Sequence, residues 1–266
     1  KIREASGKIR PHSMKVPVIP TSRTLTAPQL NAQLDMAKWL ALLTMAVDHF
    51  GLILAPEYQI FRLVGRLSLP LFLFVIAVRL AQQPDRSEGY LLRLSLWAII
   101  SQIPYWLGFF YKLSPDDMFY QLNIMVTLGL GTALTVLVDW MSKKGAIGYL
   151  LGWPLAAGLL VNGLKSDYGP LAVAATPALV WLARRSVVHA AIACGLFGAA
   201  SIISIQWGQT ELLGWALCTP IGSLVAYACL STRAKPWRMP GLFFYAFYPV
   251  HIILLILLSG LLNTPQ

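Results

Sequence analysis

An acid and an imidazole, Asp48 and His49, stand next to each other inside a long apolar segment of this 266-residue chain. An imidazole can act as a general base near neutral pH, and a nearby carboxylate can support it electrostatically. Neighbouring residues on a helix point about 100° apart, so the two side chains cannot face one partner together. We expect Asp48 to reach Arg66 on the next apolar segment and His49 to find its partner on another helix. The alternative is a structural ion pair that only ties two helices together.

Basic side chains accompany this acid and imidazole. Arg62 and Arg66 lie four residues apart on one helix face, and guanidinium groups suit phosphate or carboxylate ligands. Lys38 precedes His49 by eleven residues, about three helical turns, so both lie on one face. A cation that lies nearer the cytoplasm than an imidazole, on the same helix face, suits a long anionic ligand. Lys38 could equally extend to the membrane surface or pair with Asp35, three residues earlier.

The composition identifies the class of protein. Hydrophobic residues make up 57% of the chain and charged residues 12%, which is about half the share in soluble domains. The apolar runs are continuous and long enough for helices, which excludes a β-barrel as well as a soluble enzyme, a disordered chain and a disulfide-rich module. The three cysteines lie in apolar runs without metal-ligand spacing, so we expect packing roles. The sequence therefore predicts an all-α, polytopic membrane protein.

Apolar stretches of roughly 20 residues predict about nine transmembrane spans. The fifth and sixth are short and contain prolines, so they could form a broken pair. The predicted spans are Leu34–Ala55, Phe61–Ala81, Tyr90–Tyr111, Asn123–Met141, Ala146–Val161, Gly169–Ala183, Val187–Ile205, Leu212–Leu230 and Leu242–Leu262.

The distribution of basic residues predicts the topology. Fourteen Lys and Arg residues fall in the N-terminal tail and alternate loops, and two fall in the intervening loops. This asymmetry places the N-terminus in the cytoplasm and the C-terminus outside, and it explains the net charge of +10 without nucleic acid. Residues 1–33 read as a disordered basic tail and residues 34–262 as the membrane domain. Because the chain does not begin with Met, Met14 is a candidate natural start. Arg79 and Arg93, near cytoplasmic span ends, are expected to extend to the membrane surface.

Polar side chains of several predicted spans converge at one depth. At a rise of ~1.5 Å per residue, His49 lies ~22 Å from the cytoplasmic end of the first span and Arg66 ~7 Å below the outer end of the second. Tyr105 in the third span reaches about the same level, and Gln102 lies ~5 Å deeper. Ionisable groups at such depth face a protein interior or a water-filled cavity and usually serve function. The sequence thus predicts a polar site in the outer half of the membrane.

The last apolar segment carries a second buried histidine candidate. Tyr248 and His251 flank Pro249, which kinks a helix and frees a backbone carbonyl, often beside a cavity. No other polar cluster of this kind stands in the last three predicted spans.

Several of these segments resemble the TraX family, in the same order along the chain. The matching segments are LLTMAVDH at 42–49, GRLSLPLF at 65–72, YLLRL at 90–94, SQIPY at 101–105, LN at 122–123, DYG at 167–169 and YPVH at 248–251. The resemblance covers about residues 34–260. More loosely, the spacing from Lys38 to His49 resembles the Arg-x10-His pattern of the wider integral-membrane acyltransferases. Many relatives carry Glu-Gly late in the second span, where this chain has Val78-Arg79.

The resemblance implies an acetyltransferase of the bacterial inner membrane. TraX proteins acetylate the N-terminus of F-type pilin with acetyl-CoA as donor, so acetyl-CoA is the expected co-substrate, pilin the expected partner, and no metal is expected. The expected catalytic residues are His49 as general base, Asp48 and Arg66. The expected donor-binding residues are Lys38, Arg62, Gln102, Tyr105, Asn123, Tyr168, Tyr248 and His251. Among them, Gln102, Tyr105 and Asn123 are candidate oxyanion donors.

Other functions remain open from the sequence. The same buried charges would serve O-acetylation of a periplasmic glycan or lipid, or a proton-coupled transporter, although no inverted repeat is visible. A non-catalytic membrane partner of pilus assembly is a further alternative. Direct transfer and an acyl-histidine intermediate are both compatible with the residues.

Overall fold

The computed structural model describes residues 27–109, 121–205, 219–232 and 236–262. Within these ranges the chain is helical, with one isolated β-bridge between Leu122 and Ser166. The predicted all-α class is therefore confirmed. A short 3-10 turn, Pro84–Arg86, precedes the fourth helix. The helices are α1 (Ala27–Leu54), α2 (Gln59–Gly65), α3 (Ser68–Gln82), α4 (Ser87–Phe109), α5 (Ile124–Gly163), α6 (Gly169–Arg185), α7 (Val187–Ile205), α8 (Ile221–Ser231) and α9 (Gly241–Leu262).

The helix ends differ from the predicted spans in two instructive places. α1 begins at Ala27 rather than Leu34, because Leu30 and Gln33 are buried and the Gln33 amide donates a hydrogen bond to the Leu230 carbonyl at 2.8 Å. The predicted fourth and fifth spans are joined in α5, which bends at Gly145, where φ is +61°. Glycine adopts this left-handed conformation without a Cβ penalty.

Some predicted features lie outside the described residues. These are most of the basic tail (residues 1–26), Tyr111 at the end of the third predicted span, and residues 206–218, which include Cys218 and the start of the eighth predicted span. Cys194 and Cys229 are buried in α7 and α8, as expected for packing residues.

Four described helical stretches are long and apolar enough to cross a membrane, which makes this a membrane protein. They are Pro28–Leu54, Gln59–Gln82, Ile124–Gly163 and Gly241–Leu262. The other helices that match predicted spans are shorter or less apolar. The count of nine crossings and the orientation of the termini therefore stay predictions.

The described helices form a closed ring around one central helix. Each ring helix packs against the next in the order α1, α9, α4, α5, α6, α7, α8 and back to α1. α3 lies inside and contacts α1, α6, α7 and α8. Its segment from Ser68 to Val78 is buried on every side, as its apolar sequence requires. Large apolar side chains cover the outside of the ring, for example Leu150 and Leu254, and suit a lipid environment.

The helix containing the second predicted span is interrupted between α2 and α3. Pro70 has no backbone N–H and cannot donate to the Arg66 carbonyl, so regular helical bonding stops there. Arg66 consequently lies at the junction, with its backbone N–H donating to the Arg62 and Leu63 carbonyls. α1, α2 and α9 meet near this junction and carry the residues of the candidate site.

Candidate active site

Two histidines from opposite ends of the chain lie in direct contact. The distance between His49 Nδ1 on α1 and His251 Nε2 on α9 is 2.7 Å. The ring planes are parallel within 4° and the centroids are 4.9 Å apart, almost twice the N–N distance. The rings therefore meet edge to edge through a hydrogen bond. The prediction that His49 finds its partner on another helix is confirmed.

The hydrogen bonds assign the protons of both rings. His251 Nδ1 lies 2.7 Å from the carbonyl oxygen of Phe247, which can only accept, so Nδ1 carries the proton and donates it. In a neutral His251 ring, Nε2 is then an acceptor, and His49 Nδ1 must donate to it. This places the lone pair of neutral His49 on Nε2. A relay of hydrogen bonds therefore runs from His49 through His251 to a backbone carbonyl.

Aromatic rings enclose this relay. The centroid of His49 lies 5.0 Å from that of Phe109 and 5.7 Å from that of Tyr248. Phe247 stacks on His251 at 4.8 Å. Tyr248 is fully buried, and both histidines are only 7% exposed. The rings hold both imidazoles in place and limit the access of water.

Asp48 forms its ion pair with Arg62, one turn before the predicted partner Arg66. Arg62 Nη1 donates to Asp48 Oδ2 at 2.9 Å. The second carboxylate oxygen, Oδ1, is buried without a hydrogen-bond partner among the residues described. Arg66 also acts on Asp48 through its charge, but the hydrogen-bonded partner is Arg62, because contacts between α1 and α2 set their relative register. The sequence does not show those contacts.

Two glycines set that register. A Cβ on Gly65 would collide with the side chain of Asp48, and a Cβ on Gly51 would collide with Phe61. The absence of a side chain at both positions lets α1 and α2 approach closely. Asp48 is therefore pressed against the backbone of α2 and held level with Arg62.

A second carboxylate, Asp167, belongs to the same layer. The Tyr105 hydroxyl donates to Asp167 Oδ1 at 3.4 Å. Burial raises the pKa of Asp167 to about 6, and the nearby Arg66 guanidinium opposes that rise. Asp167 is therefore mostly ionised at neutral pH. Tyr168 follows it at the N-terminus of α6, where burial and the charge of Asp167 raise the pKa of its phenol to about 12.

Asp167 changes the charge balance of the site. Two guanidinium groups, Arg62 and Arg66, now face two carboxylates, Asp48 and Asp167. The segment DYG at 167–169 indicates this loop, but the predicted site residue is Tyr168 and not its acidic neighbour. A carboxylate in a loop is common, so only its position beside Arg66 marks Asp167 as part of the site.

Gln102 and Asn123 lie near the site but their polar groups serve the fold. Asn123 Oδ1 caps α5 by accepting from the Met125 and Val126 backbone N–H groups. Asn123 Nδ2 donates to Gln102 Oε1 at 2.8 Å and to the Ala98 carbonyl at 2.9 Å. Both amide protons of Asn123 are thus engaged, and Tyr105 would have to exchange its hydrogen bond to Asp167 for one to an oxyanion.

Lys38 lies away from the histidines, about three helical turns before His49 in the middle of α1. Its ammonium group pairs with Asp35 at 2.7 Å, the i,i+3 partner considered from the sequence. Lys38 also lines a cavity of about 850 Å³ together with side chains of α3, α4 and α9. The structure therefore separates Lys38 from the other predicted donor-binding residues.

A smaller apolar groove of about 380 Å³ opens beside His251. Ala46, Val47 and Phe50 of α1, Phe61 of α2 and Leu254 and Leu255 of α9 line it. Phe50, Phe61 and Leu254 lie toward the outside of the helix ring. The groove connects the histidine pair with the surface that we expect to face lipid.

A family model and several known proteins match this chain over most of its length. The family model described as "TraX protein" matches residues 33–259. A protein TraX of Escherichia coli is 26% identical over 234 residues, covering 84% of this chain and 86% of the relative. A probable fimbrial assembly protein FimC, serogroup H1, of Dichelobacter nodosus is 27% identical over 230 residues, covering 82% of this chain and 92% of the relative. No solved structure matches the chain. Because the family model matches most of the sequence, the chain belongs to the TraX family.

Proposed function

We propose that this protein is a membrane acetyltransferase of the bacterial inner membrane that uses acetyl-CoA. The observation that carries the proposal is the hydrogen-bonded relay from His49 to His251 and the Phe247 carbonyl. This relay presents an imidazole lone pair at His49 Nε2, in a buried layer that also holds two acids and two arginines. Acyl transfer to an amine or hydroxyl requires such a base.

In the proposed reaction the acceptor is a hydroxyl or a neutral amine, and an α-ammonium group first releases one proton to solvent. His49 Nε2 then removes a proton from the acceptor as the acceptor nitrogen or oxygen attacks the thioester carbonyl of the donor. A bond forms between the acceptor nitrogen or oxygen and the acetyl carbon, and the carbon–sulfur bond breaks. The CoA thiolate leaves and takes up the proton from His49. His251 stabilises the imidazolium form by keeping Nδ1 of His49 hydrogen-bonded. Tyr105 is the candidate donor to the tetrahedral oxyanion.

The charged residues have separate roles in this proposal. Asp48, which is buried, and Asp167, which is half-buried, attract a cationic acceptor such as an α-ammonium group. Arg66 balances the charge of Asp167. Asp48 and Arg62 form the ion pair that fixes α1 to α2. Tyr168 and Tyr248 close the layer beside Asp167 and the histidines, respectively.

The acceptor that fits best is the N-terminal amine of a pilin. The family and the fimbrial assembly relative support a role in pilus biogenesis. The groove beside His251 is apolar and suits the apolar N-terminal segment of a membrane-embedded substrate. Such an acceptor would approach the histidines from within the bilayer.

Reconstitution with radiolabelled acetyl-CoA tests the proposal. We expect proteoliposomes containing this protein and the host's pilin to transfer the label covalently to the pilin N-terminus, as read by mass spectrometry. Label on a glycan or lipid would identify an O-acetyltransferase and contradict the pilin acceptor. Absence of covalent label, together with substrate-dependent proton movement, would contradict acetyl transfer and identify a transporter.

A further inference from the structure

The cavity of about 850 Å³ gathers basic side chains at the end of the molecule that we expect to face the cytoplasm. Lys38 of α1, Arg79 of α3, Arg86 of the 3-10 turn and Arg93 of α4 all line it. They come from four separate elements, so helix periodicity alone does not bring them together. From the sequence, Arg79 and Arg93 were expected only to extend toward the membrane surface. Their convergence on one cavity calls for a different explanation.

The positive charge of the cavity is only partly neutralised. Asp35 Oδ1 lies 2.7 Å from Lys38 Nζ and 3.9 Å from Arg79 Nη2. Arg79 Nη1 also donates a hydrogen bond to the amide oxygen of Asn31. In the ranges that the structure describes, neither Arg86 nor Arg93 forms an ion pair with a carboxylate. Among the described residues, Asp85 is the one acid in the cavity wall. Arg86 and Arg93 are exposed to the opening, and Arg93 also shares a hydrogen bond with the Tyr245 side chain.

Aromatic rings form the other part of the wall. Tyr90 and Trp97 of α4 and Phe244 and Tyr245 of α9 line the cavity. The guanidinium carbon of Arg93 lies 5.9 Å from the ring centroid of Tyr90. The ring centroids of Tyr90 and Tyr245 are 6.3 Å apart. Guanidinium groups bind phosphate through paired hydrogen bonds, and aromatic rings stack on flat heterocycles. This combination fits a phosphorylated nucleotide better than a simple inorganic anion.

The cavity and the histidine pair lie on the same two helices. Lys38 and His49 are eleven residues apart on α1, which corresponds to about 16 Å. Tyr245 and His251 are six residues apart on α9, or about 9 Å. α1 and α9 contact each other at both levels, where the Lys38 ammonium lies 5.9 Å from the Phe244 ring centroid and where His49 meets His251. A ligand anchored in the cavity would need a long, narrow arm along these helices to reach His49.

We propose that this cavity binds the phosphorylated nucleotide half of the acyl donor, with Arg86 and Arg93 as phosphate ligands. The inference rests on the proposed function, because acetyl-CoA is the donor that combines such a nucleotide with a long thioester arm. The nucleotide stays at the predicted cytoplasmic end, where the donor is made. The thioester arm extends beside α1 and α9 and brings the acetyl group to His49.

Binding of CoA itself, without the acetyl group, tests the cavity separately from the chemistry. The protein is placed in nanodiscs of neutral phosphatidylcholine, and CoA affinity is measured by calorimetry. The combined change Arg86→Gln and Arg93→Gln should weaken binding about tenfold or more, since charged hydrogen bonds are lost. The matched control is Lys143→Gln with Lys144→Gln, which removes the same charge from an exposed site outside the cavity. This control should bind CoA like the parent, and pantetheine, which lacks phosphate, should not compete.

The outcomes separate this inference from the proposed function. Loss of CoA binding in the Arg86/Arg93 variant supports nucleotide binding in the cavity, even if the parent transfers no acetyl group to any acceptor. Normal acetyl transfer with an unchanged donor KM in that variant would contradict nucleotide binding in the cavity. The proposed function would still stand. If the parent binds no CoA but co-purifies with an anionic lipid that the variant loses, the occupant is a lipid headgroup and the proposal is wrong. Equal thermal stability of parent and variant excludes misfolding as the cause.

Discussion

His251 is expected to orient the base without touching the reacting atoms. His251→Phe keeps a ring against Phe247 but removes the acceptor for His49 Nδ1. The hydrogen bond then no longer fixes the tautomer of His49, so kcat should fall about tenfold while the acceptor KM changes little. Steady-state kinetics in proteoliposomes measure both parameters.

A double variant provides the control for that role. If His251 acts only through His49, adding His251→Phe to His49→Ala should cause no further loss of activity. His189→Phe, at an exposed histidine of α7, should leave both parameters unchanged. Losses from His49→Ala and His251→Phe that simply multiply would contradict the relay.

The pair formed by Asp48 and Arg62 is expected to stabilise the fold. Asp48→Asn or Arg62→Gln alone leaves one buried or half-buried charge without its partner, so each should lower the free energy of unfolding by roughly 2 kcal/mol or more. The double variant should recover a large part of that loss. Thermal unfolding in detergent measures the coupling, and strictly additive losses would contradict the ion pair.

Sequence reasoning identified the important side chains better than their partners. Asp48, His49 and His251 stood out because ionisable groups are rare in apolar helices. The contact between His49 and His251 joins residues 202 positions apart, and helix periodicity gives the face of a residue but not its neighbour. Asp167 escaped selection because a carboxylate in a loop is ordinary until its burial is known.

The close packing of α1 on α2 depends on Gly65. Gly65→Ala places a methyl group against the Asp48 side chain, so the helices must separate. We expect a loss of about 1–3 kcal/mol in unfolding free energy and a clear loss of acetyl transfer, since Asp48 and Arg62 would shift.

Gly158→Ala is the matched change elsewhere. Gly158 lies in the exposed part of α5, where an added Cβ meets no atom within 4 Å. Alanine there should be neutral or stabilise the helix by up to about 1 kcal/mol. Equal stability and activity of the two variants would show that the contact at Gly65 is not tight.

The helices were largely predictable because continuous apolar runs leave few alternatives. Their interruptions were harder to predict. Pro70 explains the junction between α2 and α3, but the same residue type lies inside α4, α5, α6 and α9 without ending those helices. Whether a proline kinks or ends a helix depends on which neighbouring groups satisfy the freed carbonyl.

The order of helices in the ring could not be predicted from the sequence. α3 is apolar all round, which predicts a buried helix. The pattern does not say that α1 lies between α8 and α9, and this arrangement brings His251 to His49. In a membrane, apolar faces suit lipid and protein alike, so hydrophobicity gives little information about helix neighbours.

The orientation of the whole molecule is a separate prediction. Reporter fusions after Lys144 and Arg238 should report the cytoplasm, and a fusion at Gln266 should report the outside, because basic loops stay on the cytoplasmic side. Alkaline phosphatase and green fluorescent protein fusions measure the two sides. A cytoplasmic C-terminus would imply an even number of crossings and would contradict the predicted topology.

The central claim is that His49 is the base for acetyl transfer in this membrane protein. The most direct test compares the parent, His49→Ala and His189→Ala in proteoliposomes with labelled acetyl-CoA and pilin. We predict that His49→Ala folds and inserts normally but transfers acetyl groups about 10²–10⁴ times more slowly, whereas His189→Ala keeps the parent rate. Near-normal transfer by His49→Ala would contradict the claim and remove His49 from the mechanism.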